Sequence, residues 1–170
     1  MTLYNSYRPR TWDEFIEDQA FKESLQRMAD DAHPMLFIGP AGCGKTTAAR
    51  LIAADVLGAE FREGVTYLEI NCADHTGVDD MRALLQLASA RPIGAHNRLI
   101  VLDECHQLSK SAWNLLLKPL EDGSEHTRWI LCTSEPKGVI KAAASRCVHF
   151  GFEKATMRQL EQLLLLKNLL

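Results

Sequence analysis

The sequence predicts an α/β fold with a mostly parallel sheet covered by helices on both faces. Three observations carry that prediction. Short apolar runs alternate with segments of helical periodicity along most of the 170 residues. The runs are apolar throughout rather than at every second position, the pattern of strands buried on both faces. The first run, Met35-Leu36-Phe37-Ile38, opens directly into Gly39-Pro40-Ala41-Gly42-Cys43-Gly44-Lys45-Thr46-Thr47 and then a helical segment. That strand–loop–helix order, with G-x-x-x-x-G-K-T spacing, is what a phosphate-binding loop requires. Its glycines let backbone N–H groups approach an anion, and the helix N-terminus adds a favourable field.

In chain order, residues 1–18 read as an irregular arm, because Arg8-Pro9-Arg10 interrupts any helix while Trp12, Phe15 and Ile16 offer apolar anchors. Residues 19–32 carry Phe21, Leu25, Met28 and Ala29 at helical spacing. Pro34 introduces the first strand, the loop follows, and a helix over 47–57 stops at Gly58. A second strand is expected at 65–70. A helix leads from Thr76-Gly77-Val78-Asp79 to about Ala90, with Met81, Leu84, Leu85 and Ala88 on one face; Arg91-Pro92-Ile93-Gly94 ends it. The strand at 98–102 runs into Asp103-Glu104. Ser109 caps a helix to about Glu121, a strand covers 129–133, a helical turn covers 139–144, and a last strand covers 147–150.

Composition narrows the function. A net charge of −3 rules out a globally basic nucleic-acid binder, so any such contact needs a local basic surface. No apolar run is long enough to span a membrane, and no signal sequence opens the chain. The five cysteines, at 43, 72, 105, 132 and 147, form no C-x-x-C pair, which argues against zinc and for a reducing, cytoplasmic setting.

The chemistry-bearing residues fall at the carboxyl ends of the expected strands, where open parallel sheets bind ligands. Lys45 can reach the β- and γ-phosphates of a nucleotide, and the Thr46 hydroxyl can ligate Mg²⁺. Leu99-Ile100-Val101-Leu102-Asp103-Glu104 is an apolar strand ending in two acids. By itself that pattern is more often a strand running into solvent. Downstream of a phosphate loop it assigns Asp103 to the metal and Glu104 to the hydrolytic water. Thr133 ends another apolar strand and is either a contact to the γ-phosphate or water, or an ordinary turn residue. Arg146 precedes the last strand. It is either a surface arginine or one offered to a neighbouring subunit's nucleotide.

Taken together, Tyr7-Arg8-Pro9, the phosphate loop, Asp103-Glu104-Cys105-His106, Thr133 and Ser145-Arg146-Cys147 resemble the AAA+ ATPase motor subunits of DNA-polymerase sliding-clamp loaders. The S-R-C triplet is the most diagnostic element. Residues 66–150 are similar above all to the bacterial motor subunit, through Thr76-Gly77-Val78-Asp79-Asp80-Met81-Arg82 and Leu115-Leu116-Leu117-Lys118-Pro119-Leu120-Glu121. The resemblance implies a P-loop NTPase of AAA+ type with a five-stranded parallel sheet in order 5-1-4-3-2. It implies ATP and Mg²⁺ as cofactors. Tyr7, Arg8, Phe15 and Ile16 would border the adenine, and Pro40, Ala41 and Gly42 to Thr47 would wrap the phosphates. Thr133 would be a sensor residue, and Arg146 an arginine finger acting in trans. The implied partners are other clamp-loader subunits in a pentameric spiral, the sliding clamp, and primer–template DNA gripped by its backbone.

Three departures stand out. Residues 58–65 are too short, and too poor in cysteine, for the zinc module that bacterial motor subunits carry there. Asp18-Gln19 stands where Gly-Gln is usual. The family continues past residue 170, so residues 1–152 correspond to the nucleotide-binding core and 153–170 to the first helix of a lid. The leucines at 160, 163, 164, 165, 166, 169 and 170 are those of a helix cut from its partners, or else of a self-association surface. Arg82, Arg91, Arg98, Lys110 and Lys118 are candidate DNA-phosphate contacts, and Asn114 a candidate link from DNA to the ATP site. Two other readings stay open: a non-hydrolysing structural subunit, and another AAA+ replication or repair ATPase such as a Holliday-junction motor.

Overall fold

The computed structural model describes residues 8–31, 33–74 and 77–166. Residues 8–18 cross the surface in turns. Phe15 is buried there, with Trp12 edge-on to it at 5.9 Å. Helix α1 (Gln19–Asp30) begins where the Asp18 side chain accepts the Ala20 N–H, so the residue that departs from the family pattern serves as an N-cap. Strand β1 (Met35–Ile38) leads through the phosphate loop into α2 (Lys45–Leu57). This helix starts at Lys45 rather than Thr47, because Gly44, at φ 95°, turns the chain in a conformation that costs other residues energy.

Strand β2 (Tyr67–Asn71) starts later than the apolar run at 65 suggested. The Arg62 carbonyl accepts the N–H groups of Val65, Thr66 and Tyr67, which folds those residues into a tight turn. Helix α3 (Val78–Ser89), strand β3 (Arg98–Asp103) and helix α4 (Lys110–Asp122) follow. Ser109 caps α4 by accepting the Ala112 N–H. Strand β4 (Thr127–Thr133), a single helical turn α5 (Lys141–Ala144), strand β5 (Val148–Gly151) and helix α6 (Met157–Leu166) complete the described chain.

The five strands form one parallel sheet in the order β2-β3-β4-β1-β5, the expected order read from the other edge. Successive β3 residues serve opposite faces. Leu99 and Val101 pack with Phe37, Ile52 and Leu25 beneath α1 and α2. Ile100 and Leu102 pack with Trp113, Leu116 and Met81 beneath α3 and α4. The register sets Ile38 beside Thr133 and Asn71 beside Asp103, so the carboxyl ends of β1, β3 and β4 lie together.

At the opposite end of β3, the structure corrects one expectation. Arg98 is not a surface contact for phosphates but a buried residue, 3% exposed. Its guanidinium donates to the carbonyls of Leu87 and Ala90, and through Nε to that of Val65 at 3.2 Å. Helix α3 has no basic residue in its last turn, and Arg98, at the start of β3, supplies its end carbonyls with donors. Burial holds the Arg98 pKa below the usual arginine value.

Candidate functional site

The phosphate loop is fixed from below and open at its tip. Gly39 donates its N–H to the Thr133 carbonyl, and a Cβ on Gly39 would lie 2.3 Å from the Phe152 carbonyl oxygen, so only glycine fits. Pro40, Ala41 and Gly42 are exposed; Cys43 and Thr47 are buried. Lys45 is 5% exposed and donates through Nζ to the carbonyls of Gly39 at 2.7 Å and Pro40 at 3.0 Å. An ammonium folded onto the carbonyls of its own loop, beneath a helix N-terminus, suits an incoming polyphosphate, whose charged oxygens are stronger acceptors.

Two of the expected metal ligands already face each other. The Thr46 hydroxyl donates to Asp103 Oδ2 at 3.1 Å. Burial pushes the Asp103 carboxyl above its ordinary pKa, while the Thr46 hydrogen bond pulls the other way. Among the described residues no group of three or more His, Cys, Asp or Glu side chains could hold a metal. One hydroxyl and one carboxylate fit Mg²⁺, which takes few protein ligands and fills its octahedron with phosphate oxygens and water.

Glu104 is the one non-glycine residue with positive φ among those described (50°). Such a backbone costs of order 1–3 kcal/mol and gathers at functional sites. Here it follows directly on Asp103, whose Oδ1 accepts the Glu104 N–H at 3.0 Å. The Glu104 side chain turns towards the end of β4, where Oε2 accepts the Ser134 hydroxyl at 2.7 Å. His106 Nδ1 lies 3.3 Å from the same oxygen and 3.1 Å from Thr133 Oγ1. Thr133 is fully buried, and its oxygen also accepts the Glu135 N–H. Sequence reasoning assigned no role to His106 or Ser134. His106 belongs to Asp103-Glu104-Cys105-His106 and Ser134 directly follows Thr133, but their convergence on Glu104 depends on β3 lying beside β4, which no local pattern reveals.

Beside the loop is a cavity of about 280 Å³, lined by Arg8, Pro9, Phe15, Ile16, Gly42 to Gly44 and Thr47, and closed by Glu153 and Gln159 near α6. Its position, shape and apolar wall fit a nucleobase and sugar. Burial raises the pKa of Glu17 on its rim, with Lys22 opposing. Arg8 and Ile16, expected on the base side, both line this cavity. Tyr7 lies outside the described residues.

Arg146 stands apart from this assembly. It donates to Glu121 at 3.0 Å through Nε and to the Ala142 carbonyl, and its side chain is 29% exposed. Of the candidate DNA contacts, Arg82 pairs with Asp79 at 3.0 Å, Arg91 reaches the Ala95 carbonyl at 3.4 Å, and Lys110, Lys118 and Asn114 are exposed.

A protein-family comparison matches residues 65–156 to "DNA polymerase III, delta subunit", more than half of the chain. The chain belongs to the DNA polymerase III delta-subunit family. That result bears out the likeness to clamp-loader motor subunits drawn from the motifs. Among curated relatives, the chain is 36% identical over 149 residues to the replication factor C small subunit of Natronomonas pharaonis, covering 86% of this chain and 45% of that protein. It is 31% identical over 186 residues to DNA polymerase III subunit gamma/tau of Mycobacterium tuberculosis, covering 96% and 32%. The chain therefore spans about a third of one of these relatives and less than half of the other. The Thermotoga maritima RuvB Holliday junction branch migration motor superposes with a TM-score of 0.73 at 23% identity, over 95% of this chain and 55% of that one. That likeness shows the AAA+ fold.

Proposed function

We propose that this chain is the ATPase motor domain of a DNA clamp loader, using ATP binding and hydrolysis to open a sliding clamp and place it on primed DNA. The observation that carries the reading is the shared end of β1, β3 and β4, where a buried lysine, a paired Thr46–Asp103, and Glu104 beside Thr133 stand together. Lys45 and the loop N–H groups bind the phosphates, and Arg8 and Ile16 border the base. Thr46 and Asp103 hold Mg²⁺, which neutralises charge building on the transferred phosphoryl group. Glu104 orients and polarises the attacking water. Thr133 donates to the phosphate or that water. Family membership supports the clamp-loader role, and five free thiols suit a reducing cytoplasm.

Arg146 is bonded within its own chain to Glu121, away from the loop, so the role this reading gives it is at a neighbouring subunit's nucleotide. Residues 153–170 would open the lid domain. The exposed Met157, Leu160, Leu164 and Leu165 of α6 form the face that further lid helices would cover. Other clamp-loader subunits, the clamp and the DNA backbone are the partners this reading requires.

The test is ATP turnover across a protein concentration series, with and without primed DNA, beside Arg146→Ala. Turnover per chain is expected to rise with concentration and to stay low at all concentrations in Arg146→Ala, while both proteins bind ATP. Turnover absent at every concentration, with ATP still bound, would sink the motor reading in favour of a nucleotide-binding scaffold.

A further inference from the structure

We infer that His106 is a positioning residue for hydrolysis, tying the Thr133 hydroxyl to the Glu104 carboxylate through one imidazole nitrogen; this rests on the hydrolytic reading above. Nδ1 stands between the two oxygens, 3.1 Å from Thr133 Oγ1 and 3.3 Å from Glu104 Oε2. The imidazole is 8% exposed, so water offers it little alternative. Its other nitrogen faces the Gln107 amide nitrogen at 3.0 Å. The amide donates to the Nε2 lone pair, which places the ring proton on Nδ1, towards both oxygens.

That tautomer fixes the hydrogen-bond directions around it. Thr133 Oγ1 accepts from Nδ1 and from the Glu135 N–H, so its own hydrogen is free to donate into the site. Glu104 Oε2 accepts from the Ser134 hydroxyl at 2.7 Å and the Ser134 N–H at 3.3 Å, with the Nδ1 proton beside it. Oε1 takes no protein donor among the described residues and is the oxygen left for water. One imidazole therefore makes Thr133 a donor and steadies Glu104 as an acceptor. The base of the His106 side chain is hemmed in by the segment Pro136–Gly138, where a Cβ on Gly138 would come within 2.7 Å of His106 Cβ. The inference is distinct from catalysis by Glu104 itself, because His106 acts through that side chain and through Thr133.

The experiment is single-turnover ATP hydrolysis by the full chain, with affinity for a fluorescent ATP analogue measured alongside. The proteins compared are wild type, His106→Ala, His106→Asn, Glu104→Gln and the His106→Ala/Glu104→Gln double variant. Asn places an amide nitrogen where Nδ1 stands. Removing the imidazole is expected to slow hydrolysis by about 10- to 100-fold, the usual cost of losing a group that orients a reacting one, with nucleotide affinity unchanged. Asn should recover most of that loss, and His106→Ala should cost less once Glu104 is Gln than it does in the wild type, the remainder being the share that runs through Thr133. Wild-type hydrolysis that both His106 variants leave intact overturns the positioning role and spares the ATPase reading. So does a loss matched by lost nucleotide affinity, or one that the folded Asn variant fails to recover. A wild-type chain that binds ATP and never hydrolyses it overturns both.

Discussion

The two ends of the central strands use the same kinds of side chain for opposite purposes. At the foot, Arg98 of β3 and Thr127 of β4 are buried and donate to the carbonyls of Leu87, Ala90 and Ala88 at the end of α3. At the crown, Asp103, Glu104 and Thr133 gather beside the phosphate loop, and part of their hydrogen-bonding capacity is unspent. Each group at the foot meets a partner that must otherwise go without, so its hydrogen bonds stabilise the fold. At the crown a buried carboxyl has its pKa pushed up and a glutamate holds a left-handed backbone. The crown is held in readiness by the stability that the foot and the two apolar layers supply.

Opposed substitutions sharpen that contrast. The largest effect expected is from Glu104→Gln, which should lower turnover by about 10²- to 10⁴-fold, the range for a lost general base, while unfolding and nucleotide affinity barely move. Arg98→Met keeps the apolar stem and removes the donors. It should cost about 2–3 kcal/mol in urea unfolding, because several carbonyls lose their partner at once, with turnover per folded molecule preserved. If instead Arg98→Met lowers turnover without lowering stability, the division between foot and crown fails. Thr127→Val strips one 2.7 Å hydrogen bond from the Ala88 carbonyl and should cost about 1 kcal/mol by the same measurement.

The smallest expected effect has the opposite sign. Asp103 has its pKa raised in the folded chain, so losing its proton costs stability there. Its contribution is fully present below the ordinary aspartate pKa and is lost as pH rises through the folded value. Without Mg²⁺ and nucleotide, Asp103→Asn should therefore melt slightly higher than wild type at neutral pH. The difference should vanish below the ordinary aspartate pKa, and the variant should lose its Mg²⁺-dependent turnover. A variant that melts lower at neutral pH would show that the carboxylate is a structural group like those at the foot.

The crown was legible because its chemistry needs local sequence: a glycine-rich turn between strand and helix, and acids where an apolar run stops. The strand order came through the family resemblance and is the order observed. The foot was not legible. Arg98 sits before an apolar strand as a surface arginine would, and only the arrival of the α3 end beside it decides otherwise. The start of β2 was misjudged for a similar reason: Val65 and Thr66 have strand-like side chains, but the Arg62 carbonyl captures their N–H groups. His106 shows the limit within a recognised motif, since its neighbours come from a strand nearly thirty residues away.

Gly39 carries a consequence for mechanics. The Phe152 carbonyl occupies the space where its side chain would be, and the Phe152 N–H is bonded to the Ile38 carbonyl at 2.7 Å. The way into the phosphate loop and the way out of the sheet towards α6 are thus bolted together at one point. Force on the chain beyond residue 152 reaches the loop directly at this contact. Whatever moves on the far side of Phe152 has a short lever on the loop, and any movement of the loop has the same lever on it.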